Sequence, residues 1–477
     1  MSRITRRGRL AITTGVVVLG AAGALVAGGI IDPWGASTGG DHGKAVPVVA
    51  QPYPTASPVL PGFSDGGPLP TESGLAAALT SALADPGLGT QVGVSIVDAE
   101  TGESLYSRSA TTGLVPASTL KIATAVAALE ALGPDHRLTT KAVLQPGEPA
   151  TVVLVGGGDP TLAGPRATGT ASPGYPQPAK LIDLVDATVK ALADGGVTTV
   201  RLGYDTSLYS GPDTGPAWKP SYIGGGNVAP VTALQVDAGR PNPASSIPTL
   251  TPAADAAQQF AGLLAERGIR VEGKPAAMTA DSAARELAAV QSPPVSDLVD
   301  RLLTRSDNDL AEALARAVAL AKGEPASFVG GATAVRDVLV GLGVDAPGLG
   351  LIDGSGLSPD NRLSPAALTQ LLVLAASEKH PKLRAAAAGM PIAGFTGTLA
   401  KRFLKPDAAA GVGLVRAKTG TLLGASTLAG YVADADGRLL AFAVLANGVT
   451  ANGTPKAEAA LDRIAAVLAG CGCRSGH

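Results

Sequence analysis

The feature that most restricts the fold is the placement of apolar strands at both ends of the chain. Gln91 to Asp98 alternates like a strand, Ala99-Glu100-Thr101-Gly102 reads as a turn, and a second strand falls near Ser104 to Arg108. Near the other end, Leu422 to Ala433 and Leu439 to Ala446 are two apolar strands, joined into a hairpin by Asp434-Ala435-Asp436-Gly437. Helical spacing runs through Leu75, Leu79 and Leu83. It returns from Pro116 and Ala117 through Lys121 to about Leu132, at Val295 to Leu303, from Asn308 to Leu320 and over Pro455 to Leu468. The expected fold is α+β, an antiparallel sheet flanked by helices. Its strands must come from the first and last parts of the chain, so both parts belong to one domain.

Three short strings occur once each, in a fixed order: Ser118-Thr119-Leu120-Lys121, Ser306-Asp307-Asn308 and Lys418-Thr419-Gly420-Thr421. Ser-x-x-Lys alone is weak, because a chain this long shows it about once by chance. The ordered trio is much more specific, and it points to a serine nucleophile. Ser118 and Lys121 share one helix face, and Ser118 lies in the first turn, where free N–H groups favour negative charge. Lys121 can take the serine proton only when neutral, so its pKa must fall by roughly 2–3 units. Burial and a nearby cation, for which Lys418 is the candidate, act in that direction.

Ser306 and Asn308 are two apart, so in an extended loop they point to the same side. Ser306 suits proton relay to a leaving amine, and Asn308 offers donor and acceptor to a peptide amide and to Lys121. Lys418 and Thr419 suit a substrate carboxylate, and Gly420 allows close approach of backbone and ligand. The backbone N–H groups of Ser118 and Thr421 are the candidate oxyanion hole. Taken singly, Ser118 could be a helix cap, Lys121 a solvated charge, and Ser306 or Asp307 the cap of the next helix. Trp218 and Tyr222 read as packing residues.

Other chemistries fit poorly. The 477 residues carry a net charge of −2, which gives no footprint for nucleic acid. His42, His136, His380 and His477 are scattered without metal spacing, and no Gly-x-Ser-x-Gly elbow occurs. No metal or other cofactor is called for. Arg3, Arg6, Arg7 and Arg9 precede an apolar run from Leu10 to Ile31. Residues 1–31 therefore read as a signal-anchor or signal peptide, with the anchor preferred, and the rest lies outside the cytoplasm. Residues 32–70, rich in Gly, Pro, Ser and Thr, read as a disordered spacer. The only cysteines, Cys471 and Cys473, permit a tight disulfide, free thiols or an intermolecular link.

The gap from Ser118 to Ser306 is far longer than one link between motifs needs. Residues 136–292 therefore read as an inserted domain between two parts, 71–135 and 293–477, of the domain that carries the motifs. The insert has strand signals at Thr151 to Val155 and Thr198 to Leu202 and a helix from Asp255 to Arg267.

The chain resembles the low-molecular-mass class C penicillin-binding proteins of actinobacterial type, the D-alanyl-D-alanine carboxypeptidase/endopeptidases of peptidase family S13. The likeness spans most of Ala76 to Gly470. Beyond the three strings it includes Gly157-Gly158-Asp159-Pro160-Thr161-Leu162, Asp353-Gly354-Ser355-Gly356-Leu357-Ser358 and Gly397-Thr398-Leu399. The resemblance implies a serine β-lactamase/DD-peptidase-like fold with inserted domains, here with an insert that looks short. It also implies action on peptidoglycan stem peptides through an acyl-enzyme at Ser118, and acylation by β-lactams. Ser355 lacks a lysine three residues on and reads as turn structure. A class A β-lactamase is disfavoured, since none of Glu312, Glu324 and Glu378 has asparagine four residues later. A non-catalytic sensor is disfavoured by three intact motifs. Oligomeric state and the balance of carboxypeptidase and endopeptidase activity are not legible.

Overall fold

The structure is a computed structural model that describes residues 67–165, 176–242, 245–344 and 349–474. The expected targeting segment and most of the expected spacer lie outside the described residues. No helix among the described residues is long and apolar enough to cross a membrane.

Among the described residues, ten strands form two sheets. The first joins β1 (Gln91–Asp98), β2 (Ser104–Arg108), β8 (Val415–Leu422), β9 (Ala425–Ala433) and β10 (Leu439–Asn447) in the order β2-β1-β10-β9-β8. Every neighbouring pair is antiparallel, and Gln91 of β1 lies opposite Asn447 of β10. The expected α+β architecture is therefore found. Leu422, read from sequence as the start of a strand, instead ends β8. Gly424, with φ of +86°, turns the chain into β9.

The central strands read as continuous apolar runs because helices cover both faces of the sheet. Ala441, Ala443 and Leu445 of β10 face one core with the helices Lys121–Leu132, Val295–Arg305, Asn308–Ala321, Phe328–Gly341 and Pro365–Ala376. The alternate residues Leu440, Phe442 and Val444 face a second core, with Leu75 and Leu79 of one terminal helix and Leu461 and Ile464 of the other. A side chain of β10 thus finds apolar partners whichever way it points.

The second sheet takes its strands from residues 139–291. They are β3 (Thr139–Leu144), β4 (Thr151–Val155), β5 (Thr199–Asp205), β6 (Arg270–Ala277) and β7 (Arg285–Gln291). The order is β6-β5-β4-β3-β7, with β4, β5 and β6 parallel and the other pairs antiparallel. The helices Leu181–Asp194 and Pro252–Glu266 bury Leu184, Val185, Phe260 and Leu264 against this sheet in a core of its own. Cys471 and Cys473 are bonded to each other just after the last helix.

Candidate active site

The first string begins where the chain is forced close to β8. Ala117, a non-glycine residue with φ of +47°, precedes Ser118, and the 3₁₀ turn Ala117–Leu120 feeds the helix Lys121–Leu132. Such a backbone conformation costs of order 1–3 kcal/mol and persists only when its surroundings impose it. They do so here. Asn447 grips Val115 on both sides, accepting its N–H at 2.8 Å and donating to its carbonyl at 3.2 Å. Thr427 of β9 donates its hydroxyl to the Pro116 carbonyl at 2.8 Å. A Cβ at Gly420 would stand 2.7 Å from the Pro116 carbonyl oxygen and 3.0 Å from the Ser118 nitrogen, so β8 fits against this turn only with glycine there.

Lys121 is fully buried one turn after Ser118. Its Nζ lies 3.0 Å from Ser118 Oγ and donates to Asn308 Oδ1 and to the Ser355 carbonyl, each at 2.6 Å. The last two acceptors cannot donate. In a neutral amine they hold both hydrogens, so the lone pair is left for the Ser118 hydroxyl. Burial brings Lys121 down to about 8, against the pull of Asp353, Glu312, Asp307 and Asp309. The cation effect expected on Lys121 falls on Lys418 instead. That side chain is also fully buried, and burial first, then the Lys121 charge, holds it well below the usual lysine range.

The second string is not an extended loop. Ser306 ends the helix Val295–Arg305 in a left-handed conformation, φ +57° and ψ +42°. Asp307 caps the helix Asn308–Ala321 by accepting the Leu310 N–H at 3.0 Å. The two side chains still converge on the site, because the chain reverses between two helices. Ser306 Oγ accepts from Lys418 Nζ at 2.8 Å, while Asn308 serves Lys121. Lys418 Nζ also donates to the Thr419 carbonyl at 2.7 Å. Its direct contacts are thus Ser306 and the strand itself, and Thr419 and Thr421 are the members of the third string that line the cleft.

The cleft has a volume of about 630 Å³. Ser118, Ser306, Asn308, Thr419 and Thr421 open onto it from the motif-bearing elements, and Lys219, Tyr222 and Asn227 wall it from the segment that precedes Ala229. All eight residues singled out in the three strings therefore meet. Gly420 does so by permitting the approach described above.

Sequence reasoning missed several supports. The Ser355 carbonyl is a partner of Lys121, where the residue had been read as turn structure alone. Thr398, in the Gly-Thr-Leu string, has its hydroxyl 2.9 Å from that of Thr419. Trp218 packs edge-on against Phe328, as a packing residue does, but its Nε1 also donates to Asp353 at 2.8 Å. Asp309 accepts the Ala229 N–H at 2.7 Å and the Arg240 guanidinium at 2.9 Å, tying the segment Ala229–Arg240 to the helix that begins with Asn308. The Asp353-Gly354-Ser355-Gly356 and Gly397-Thr398-Leu399 strings were the available signals, although neither shows which atom is used.

A family model described as D-Ala-D-Ala carboxypeptidase 3 (S13) matches residues 75–245 and 242–468. The chain belongs to this peptidase family. It is 41% identical over 466 residues to carboxypeptidase DacB of Mycolicibacterium smegmatis, an alignment that covers 97% of each chain. Identity to a D-alanyl-D-alanine carboxypeptidase of an Actinomadura species is 33% over 458 residues, with 81% of this chain and 83% of that one covered. Penicillin-binding protein 4 of Haemophilus influenzae shares the fold, with a TM-score of 0.66 and 23% identity. That alignment covers 83% of this chain and 98% of the other. The protein is thus a D-Ala-D-Ala carboxypeptidase, a hydrolase. In this carboxypeptidase the three strings converge on one cleft.

Proposed function

We propose that this carboxypeptidase removes the terminal D-alanine of peptidoglycan stem peptides through an acyl-enzyme on Ser118. The observation that carries the reading is Lys121: fully buried, 3.0 Å from Ser118 Oγ, with two carbonyl oxygens to hold its hydrogens. Neutral Lys121 takes the hydroxyl proton as Ser118 Oγ attacks the carbonyl carbon between the two D-alanines. The tetrahedral oxyanion is met by the backbone N–H groups of Ser118 and Thr421 at the helix start and on β8, where each donor is worth about 2.7–4 kcal/mol. The C–N bond then breaks, and the proton that Lys121 took from Ser118 passes to the departing amine through the Ser306 hydroxyl, to which Lys418 is hydrogen-bonded. Water attacks the ester, releasing the shortened peptide and restoring Ser118. Asn308 holds the substrate amide, and the Thr419 and Thr421 hydroxyls suit its terminal carboxylate.

The same site suits β-lactams, whose strained amide and carboxylate present the same groups. Residues 136–292 act as an inserted domain that walls the cleft, and 71–135 with 293–477 as the catalytic domain. Their separate sheets support this division. The arginines before the Leu10 to Ile31 run support an N-terminal anchor or signal and a site of action outside the cytoplasm, at the cell wall.

Intact-protein mass after incubation with benzylpenicillin tests the acyl-enzyme. A one-to-one adduct on the wild type and none on Ser118→Ala is expected, together with D-alanine release from a D-alanyl-D-alanine peptide by the wild type alone. An adduct of equal yield on Ser118→Ala would refute the assignment.

A further inference from the structure

We propose that Glu312 is a positioning residue for Lys121: its buried carboxylate holds the Gly354–Ser355 backbone so that the Ser355 carbonyl faces the lysine Nζ. The inference rests on the reading of Lys121 as the base and adds to it a residue that never meets the substrate.

The Gly354–Ser355 segment is a strap between two helices. On one side Glu312 Oε1 accepts both of its N–H groups, from Gly354 at 3.1 Å and from Ser355 at 2.8 Å. On the other side both of its carbonyls go to the nucleophile helix. The Ser355 carbonyl accepts from Lys121 Nζ at 2.6 Å, and the Gly354 carbonyl from the Thr124 hydroxyl at 2.6 Å. A Cβ on Gly354 would stand 2.7 Å from the Ala311 carbonyl oxygen, so glycine lets the strap lie directly on the Glu312 helix. The Gly354–Ser355 peptide thus has its donor on Glu312 and its acceptor on Thr124, while the peptides on either side contribute the Gly354 N–H to Glu312 and the Ser355 carbonyl to Lys121. The Ser355 carbonyl shares its peptide with the Gly356 N–H, which donates to Asp353 Oδ1 at 2.7 Å, so turning it away from Nζ breaks that bond or swings the backbone whose two preceding N–H groups Glu312 holds.

Packing alone does not call for an acid here. Glu312 and Arg316 are each about 1% exposed, and Arg316 Nη1 lies 3.3 Å from Glu312 Oε2. Arg316 also stacks on Phe328 at 4.1 Å and near Tyr209 at 5.3 Å. A buried ion pair is often no more stable than apolar residues of similar volume. What an apolar pair could not supply is an acceptor for the two strap N–H groups.

Glu312 also acts through its charge. Lys121 is faced by Glu312, Asp307 and Asp309 on one helix, Asp353 on the loop and Lys418 on β8. Burial and then Asp353 push Glu312 up to about 7, against the pull of Arg316 and of the strap hydrogen bonds. Its anionic form raises Lys121, so removing the charge lets the lysine release its proton at lower pH.

The test is the rate constant of acylation by benzylpenicillin across pH 5–10, separated from the dissociation constant of the initial complex. Glu312→Ala/Arg316→Met removes the acceptor without stranding a cation, and Glu312→Gln/Arg316→Met keeps an acceptor oxygen without the charge. Asp98→Asn/Arg438→Met, in a buried pair outside the cleft, controls for lost stability. The alanine variant is expected to acylate at least tenfold more slowly at its plateau, with the dissociation constant unchanged. The glutamine variant should recover most of that loss and show its acid limb at lower pH than the wild type. A merely structural role predicts wild-type rate constants and pH profiles for the folded fraction of both, as in the Asp98 control, and that result would overturn the inference. So would an unfolded glutamine variant beside a folded alanine variant with the wild-type rate. Absence of an adduct on the wild type itself would instead overturn the acyl-enzyme reading, and this inference with it.

Discussion

The side-chain amide of Asn308 donates to the main-chain carbonyl of Asn227 across 2.8 Å. That one bond decides which way the amide points. With Nδ2 committed to Asn227, Oδ1 faces Lys121, and the segment leading to Ala229 thereby helps orient the proposed general base.

Asn308→Asp tests this orientation. The variant keeps an acceptor for Lys121 but loses the donor to Asn227 and adds a negative charge beside the lysine. Its acylation rate constant at pH 7 should fall by roughly 10–100-fold, and the acid limb should move to higher pH, because the anion favours the protonated lysine. Stopped-flow acylation across pH reads both. An unmoved limb would mean that Asn308 does not sense the lysine charge.

The wild-type pH profile follows from Lys121 itself. Its amine must be neutral to accept the Ser118 proton, and it titrates near 8. Below that pH the free-base fraction falls about tenfold per unit, so acylation should rise with unit slope and level off near pH 8. A flat profile between pH 6 and 8 would contradict the role of Lys121.

The same depressed lysine predicts a stability difference on the alkaline side. In the folded state Lys121 loses its proton near 8, whereas the unfolded chain keeps it to about 10.5. Between these values the unfolded chain binds more protons, so wild-type stability gains with rising pH. The gain relative to Lys121→Met should be about 3 kcal/mol across the window. Denaturant unfolding of both proteins at pH 7 and pH 10 measures it. A constant difference between them would show that the folded lysine is not depressed.

Gly356→Ala probes the strain that presents Ser118. Gly356 has φ of +83°, and a Cβ there would stand 2.0 Å from the Ala117 carbonyl oxygen. The variant should lose about 2–4 kcal/mol, from both the clash and the left-handed backbone. It should also acylate more slowly, since Ala117 can relieve the contact only by moving Ser118. Thermal unfolding and adduct formation check the two effects separately.

Fold and site differ in how far they were legible. The paired ends of the chain could be read because β1 alternates and β9 and β10 are long apolar runs, and a run buried on both faces needs no partner information to be recognised. The second sheet was only partly visible. Thr151–Val155 is nearly all apolar and stood out, whereas β6, Arg270–Ala277, is mostly exposed and carries lysine, glycine and proline. The helix Phe328–Gly341 begins with two glycines in its first turn, which hides its periodicity.

The sequence by itself determined the side chains that we propose as the reactive groups of this carboxypeptidase. A serine three residues before a lysine, a Ser-Asp-Asn and a Lys-Thr-Gly name their chemistry by side-chain type, and short-range spacing is enough to read them. Only the tertiary structure decided how that inventory is aimed. The Ser355 carbonyl that shares Lys121, the Asn227 carbonyl that turns Asn308 and the left-handed end at Ser306 are main-chain features. Every residue carries the same carbonyl, so no side-chain pattern marks the ones that folding selects. Distance in the chain hides them further, since Lys121 and Ser355 are 234 residues apart and meet only when the helices have packed.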